Sequence, residues 1–201
     1  MNVEQRRAMI VAATLPLVAE FGAAVTTSQI ARAAGIGEAT IFRAFKDKDE
    51  VLDACVAEAV GTEHVLRELA SIPLDEPLDV RLTDAAEALC AHMERMGAVV
   101  GSLYASGYRR GRDRTPDGGP GERPPQDSRA ESLAALREAV AELIEADRDA
   151  LRLSPERVAS AFMGLLFTRR TAPVNEPDAQ LTPQELVSVL LHGTLKSPGG
   201  N

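Results

Sequence analysis

One glycine, Gly35, separates two short amphipathic stretches, and that punctuation constrains the chain more than any other feature. Thr26 precedes Ile30 and Ala31, with Gln29 three residues on. This Thr-x-x-Gln capping box predicts a helix of about two turns. At Gly35 the backbone can take the positive φ that ends a helix, and Ile36 follows to pack the turn. A second short helix over residues 38–45 places Ile41, Phe42 and Phe45 on a face to be buried, with Glu38, Ala39 and Arg43 on or near the other. Two short helices joined by a glycine turn make a helix-turn-helix.

The flanks fit that motif. Residues 4–21 put Ile10, Ala13, Leu17 and Phe21, with Met9 and Val18 beside them, on one side of a helix that can cover the motif. Arg6 and Arg7 project near its start, and Pro16 predicts a local kink. After the motif, Asp47 and Glu50 form a second capping box, Asp-x-x-Glu. Lys48 then falls in the first turn of the next helix, where a cation can reach a phosphate beside free backbone N–H groups.

Taken with RRAMIVAATLPLVAEFG before them, these residues resemble the DNA-binding domain of TetR-family (tetracycline-repressor-like) transcriptional regulators. The T-x-x-Q-I-A opening, the A-G-I turn, T-I-F-x-x-F and K-D-K-D-E-V-L occur in order and in spacing over residues 4–55. The resemblance implies an all-α chain: a three-helix DNA-binding domain over residues 1–50, then a larger helical ligand-binding and dimerisation domain over 51–201. It further implies that the helix beginning at Glu38 enters the major groove, with Gly37, Glu38, Ala39 and Thr40 nearest the bases. Glu38 can accept from cytosine N4, Ala39 and Thr40 can meet a thymine methyl, and Gln29 can pair with adenine. Glu38 can equally serve only the helix dipole, and Thr26 only the cap. Phosphate contacts are expected from Thr26, Thr27 and Lys48, with Arg43 and Lys46 as further candidates. The family often has tyrosine where this chain has Phe42 and a side-chain cap where it has Gly37, so those two contacts are expected to be weaker.

Charge is uneven. Residues 1–50 carry six basic and six acidic side chains, so the net charge of −8 falls entirely on residues 51–201. DNA binding by such a chain must rest on a local face and on a dimer presenting two of them. Cys55 and Cys90 lie in apolar helical patterns and read as buried thiols. No basic-plus-apolar leader and no uninterrupted apolar run of about 18 residues are found, which predicts a soluble, cytoplasmic protein.

The remainder reads as helices. One continues from Asp49, reaching as far as Leu69; residues 71–79 connect; and apolar positions from Leu82 to Tyr108 predict two helices broken near Gly97 or Gly101. Residues 109–127 have no apolar periodicity and read as a mobile loop. Leu133, Leu136, Val140, Leu143, Ile144 and Leu151 mark another helix, Ser154 and Pro155 start the next, and Thr182 with Pro183 opens the last.

The helices after Pro155 and Pro183 are apolar nearly all round and call for a second partner. Pairing with a second copy in a four-helix bundle supplies it, with Val158, Phe162, Leu165, Leu166, Leu186, Val189 and Leu190 as the expected interface. Following the family resemblance, a small-molecule effector is expected in the second domain. Met93, Met96, Leu103, Tyr104, Tyr108 and Phe162 are its candidate lining, or ordinary core. No metal-ligand spacing, cofactor motif or nucleophile–base pair is present, so neither cofactor nor enzyme activity is expected. The expected partners are double-stranded operator DNA, an effector and a second copy, with no membrane. The alternative is a helical dimeric interaction module that has lost DNA binding.

Overall fold

The computed structural model describes residues 2–108, 126–171 and 181–194. Nine α-helices are described: α1 Val3–Phe21, α2 Thr27–Ala34, α3 Glu38–Ala44, α4 Lys48–Val60, α5 Glu63–Ala70, α6 Leu78–Ala105, α7 Gln126–Ile144, α8 Pro155–Thr171 and α9 Pro183–Thr194. Short 3-10 helices are described at Gly22–Ala24 and Glu145–Ala150, with no strand among the described residues.

Contacts divide the chain into two compact units. The first, here the head, holds Met1–Gly61 and the described part of Met93–Pro125; the second holds Thr62–His92 and the described part of Gln126–Asn201. Helix α6 therefore contributes to both.

In the head, α1 packs on α2, α3 and α4. The core is built from Ile10, Val11, Val18, Val25, Ile30, Ile41, Phe45, Val51, Leu52, Cys55 and Val56, joined by Val99 and Leu103 of α6. Burial pushes the Cys55 thiol up to about 12, so it remains a neutral packing group. The stretch Val3–Ala24 is long and apolar enough to cross a membrane by length and composition, contrary to the sequence expectation. Its Ile10, Val11 and Val18 instead fill the head core, and α1 runs through Pro16 unbroken.

In the second unit, α7 packs on α5 and α8, and α8 on α9. Arg81 is only 2% exposed; it donates to the Leu143 carbonyl and pairs with Asp147 at the end of α7. A buried guanidinium needs such partners, because an unpaired one would cost several kcal/mol.

Three boundaries differ from expectation. α4 and α5 are separate, since Gly61 is extended and closes α4 with bonds to Ala57 and Glu58. α6 is one 28-residue helix through Gly97 and Gly101. Each interior glycine costs about 1 kcal/mol relative to alanine, less than burial of flanking Val99 and Leu103 returns. α7 already begins at Gln126, inside the expected loop; residues 109–125 of that loop lie outside the described residues.

Candidate functional site

The motif forms where its chemistry places it. Thr26 is extended and caps α2: its side chain accepts from the Gln29 N–H at 3.2 Å, and Gln29 Oε1 accepts the Thr26 N–H at 2.8 Å. Gly35 is left-handed, φ 66° and ψ 31°, and the Ile36 N–H donates to the Ala31 carbonyl, closing the helix end. Gly37 caps α3 without any side-chain bond.

Helix α3 is anchored by Ile41, Ala44 and the following Phe45, all buried. Phe42 is not on that face. It is 51% exposed, because residues 41, 44 and 45 lie on one arc of the helix and residue 42 falls about 100° away from Ile41. The outward surface of α3 is therefore Gly37, Glu38, Ala39, Phe42 and Arg43, with Thr40 half-buried at its margin.

Besides the Thr26–Gln29 cap, three members of the expected contact set, Thr27, Glu38 and Lys48, are engaged within the head. Thr27 Oγ1 donates to Glu38 Oε2 at 2.8 Å, tying the start of α2 to the start of α3. Lys48 Nζ donates to the carbonyls of Ala23 at 2.9 Å and Val25 at 3.2 Å, so its ammonium braces the turn entering α2. Arg43 and Lys46 are exposed.

The Asp47 cap is half of the expected box. Asp47 Oδ1 accepts from the Glu50 N–H at 2.8 Å. Glu50 passes Asp47 by and accepts the Lys46 N–H at 2.6 Å, while its other oxygen takes Arg7 Nη2 at 2.8 Å. Arg7 also donates to the Ala44 carbonyl and lies 4.1 Å from the Phe45 ring centroid. No short-range pattern pairs residue 7 with residue 50. The only sequence signals were an arginine near the start of α1 and a glutamate in the expected box.

Residues 10–55 match the family model for bacterial regulatory proteins, tetR family. Over those residues the chain is similar to that family. No curated protein matches the chain. Among solved structures, a Mesorhizobium loti protein assigned to the TetR-family transcriptional regulators is similar with a TM-score of 0.61 at 18% identity, over 98% of this chain and 100% of that one. NalD, the secondary repressor of the MexAB-OprM multidrug efflux pump in Pseudomonas aeruginosa, gives 0.51 at 19% identity, over 96% and 99%. The SmeT–triclosan complex gives 0.53 at 19% identity, over 96% and 93%. At these identities the fold is what is shared: an N-terminal helix-turn-helix domain followed by a helical domain.

The exposed ring of Phe42 offers a direct test of the weaker contact expected at that position. Phe42→Tyr is expected to tighten DNA binding about threefold to tenfold, the worth of one hydrogen bond to a phosphate. Fluorescence anisotropy on one duplex reads this out, and unchanged or weaker affinity would count against it.

The candidate effector residues fall in both units. Met93, Met96, Leu103, Tyr104 and Tyr108 belong to the head and Phe162 to the second unit. Leu103 is 2% exposed in the head core and Tyr104 is 77% exposed. The Tyr108 hydroxyl is within hydrogen-bond distance of the Asp49 carbonyl at 3.1 Å and Asp53 Oδ1 at 2.9 Å. Of the expected dimer residues, Val158, Phe162, Leu166, Leu186 and Leu190 are already buried within the chain. Leu165 is half-buried and Val189 is 56% exposed.

Proposed function

We propose that this protein is a DNA-binding transcriptional regulator, a ligand-responsive repressor that binds a near-palindromic operator as a homodimer, through residues 26–48. The observation carrying the reading is α3: a seven-residue helix anchored on one arc by Ile41 and Ala44 that presents Glu38, Ala39, Phe42 and Arg43 outward. A short helix with its apolar arc buried and its first turn exposed is what major-groove reading requires. In that role Glu38, an acceptor-only group steadied by Thr27, selects cytosine N4. Ala39, Thr40 and Phe42 supply apolar contact to thymine methyls. Thr26, Thr27, Gln29, Gly37, Arg43, Lys46 and Lys48 complete the proposed contact set.

The proposed dimer rests on the outward arcs of α8 and α9. Ser160, Ala161, Gly164 and Phe167 lie exposed on one, and Ser188 and Val189 on the other. Small residues there allow close helix approach. The buried residues named above form the layer beneath and set the spacing of those arcs. Two heads so joined place their α3 helices on half-sites one turn of DNA apart, about 34–36 Å.

The effector is proposed to be a small apolar molecule with few polar groups, acting in the cytoplasm, with the Met93, Met96, Tyr104, Tyr108 and Phe162 regions as candidates. NalD is a repressor of a drug-efflux pump and SmeT was solved with triclosan, which makes triclosan a reasonable first probe. Release of DNA requires that the effector prefer the non-binding state; equal affinity for both states releases nothing.

The test starts from a random duplex pool enriched by the full-length chain. The expected product is a sequence with two inverted half-sites, bound by two copies and released by an apolar probe. Val189→Glu should give monomers in sedimentation and lose the two-half-site preference. Enrichment of no sequence at all would sink the DNA reading, and retention of a dimer by Val189→Glu would sink the proposed interface.

A further inference from the structure

Helix α3 has little means of fixing its own pose. It is seven residues long, its glycine cap makes no side-chain bond, and a helix of that length has no stability alone. Its last carbonyls lack intrahelical donors. The chain supplies one from far away in sequence: Arg7 donates to the carbonyl of Ala44, the last residue of α3. The same guanidinium lies against the ring of Phe45 and pairs with Glu50 at 2.8 Å. Glu50 in turn accepts the N–H of Lys46, so three consecutive residues at the end of α3 are held by one ion pair bridging α1 and α4.

We propose that Arg7 and Glu50 are positioning residues for DNA reading: they touch no base or phosphate, and they fix the angle at which α3 presents Glu38, Ala39, Thr40 and Phe42. The inference rests on the DNA-binding role of α3 given above. Its physical basis is leverage. The outward residues lie up to two turns from Ala44, so a tilt released at that end moves them across more than one base edge. A cation at the α3 C-terminus also complements the helix dipole.

The charge signs make the proposal testable. An arginine near DNA would ordinarily be taken for a phosphate ligand, and its loss would lower the salt dependence of binding by about one counterion. A glutamate near DNA would ordinarily repel it, and its neutralisation would tighten binding. Positioning reverses the second expectation and removes the first.

On a duplex enriched by the wild-type chain, Arg7→Met and Glu50→Gln are each expected to weaken binding at least about tenfold, the cost of losing one charge-assisted hydrogen bond. Both should flatten base preference while the slope of log Kd against log salt stays that of wild type. Glu50→Gln is the mild variant, since the amide oxygen still accepts from Lys46. Tighter binding by Glu50→Gln, or a slope reduced by about one in Arg7→Met, would overturn the inference. Failure of the wild-type chain to enrich any duplex would instead strike the DNA reading itself. The clamp is then judged without DNA: Arg7→Met should speed amide exchange over residues 40–46 at least about tenfold while leaving α2 unchanged, and equal exchange overturns it.

Acid gives a further readout. The Lys46 N–H, and then Arg7, hold the Glu50 carboxyl below its ordinary range. A lowered pKa means the clamp's contribution is complete above the ordinary carboxylate value and is lost as pH falls through the lowered one. DNA affinity of the wild type should therefore hold in mild acid and fall as pH drops through that lowered value, a fall that Glu50→Gln, normalised to its own neutral affinity, should lack.

Discussion

Phe45→Ala is expected to destabilise the head by about 3–5 kcal/mol, while Phe42→Ala, three residues earlier, is expected to change stability by less than about 0.5 kcal/mol. Phe45 is 2% exposed, sits at the end of α3 within the head core, and carries the Arg7 guanidinium over its ring. Truncation removes the largest side chain anchoring α3, leaves a cavity that Ile41 and Leu52 cannot fill, and strands the guanidinium without its aromatic face. Small domains are stable by about 5–15 kcal/mol, so the loss takes a large part of the whole. Phe42 has half of its surface in solvent and nothing comparable to lose. Urea unfolding of both variants by circular dichroism decides the matter. The DNA readouts should separate them differently: Phe42→Ala keeps the fold and alters binding, whereas Phe45→Ala loses both. Equal stability losses for the two would mean that the assignment of the α3 faces is wrong.

That pair also shows what could and could not be read from the chain. Thr26, Gln29 and Gly35 act on backbone groups within a few residues of themselves, so the capped helix and the left-handed turn were legible as written. Phe42 and Phe45 are the same residue type at helical spacing, and only the position of α1 decides which is inside. The Arg7–Glu50 bridge spans 43 residues and exists because α1 and α4 lie side by side, a tertiary fact that no local rule contains. Gly61 and Gly97 make the same point about boundaries. Both are glycines in apolar helical patterns, yet one ends a helix and the other is carried through it, since Val99 and Leu103 bury beside the second. Tyr108 suits effector lining by its residue type, but its hydroxyl contact with Asp53 of α4 joins residues 55 apart, which no local rule contains.

Gly22→Val is expected to cost the head about 2–5 kcal/mol, combining a non-glycine residue at positive φ with overpacking. Gly22 has φ 55°, and a Cβ there would stand 2.5 Å from Ser106 Oγ and 2.6 Å from the Ser102 carbonyl oxygen. The serine hydroxyl could rotate away, but the carbonyl is backbone of α6 and cannot. The substitution must therefore push the end of α6 off the α1–α2 junction. It would also break the bond from the Ala23 N–H to Ser106 Oγ, 2.8 Å, and strain the Tyr108 hydroxyl contacts with α4 beyond it. Ser106→Ala isolates the polar part: it removes one acceptor without a clash and should cost about 1 kcal/mol. Denaturant unfolding ranks the two, and a Gly22→Val loss below about 0.5 kcal/mol would show that α6 can leave the head freely. Because Ala23 and Val25 also hold the Lys48 ammonium, displacement at Gly22 reaches the entrance of α2. Gly22→Val should therefore weaken DNA binding even under conditions where the head stays folded. Ser106→Ala, which leaves that turn in place, should bind as wild type.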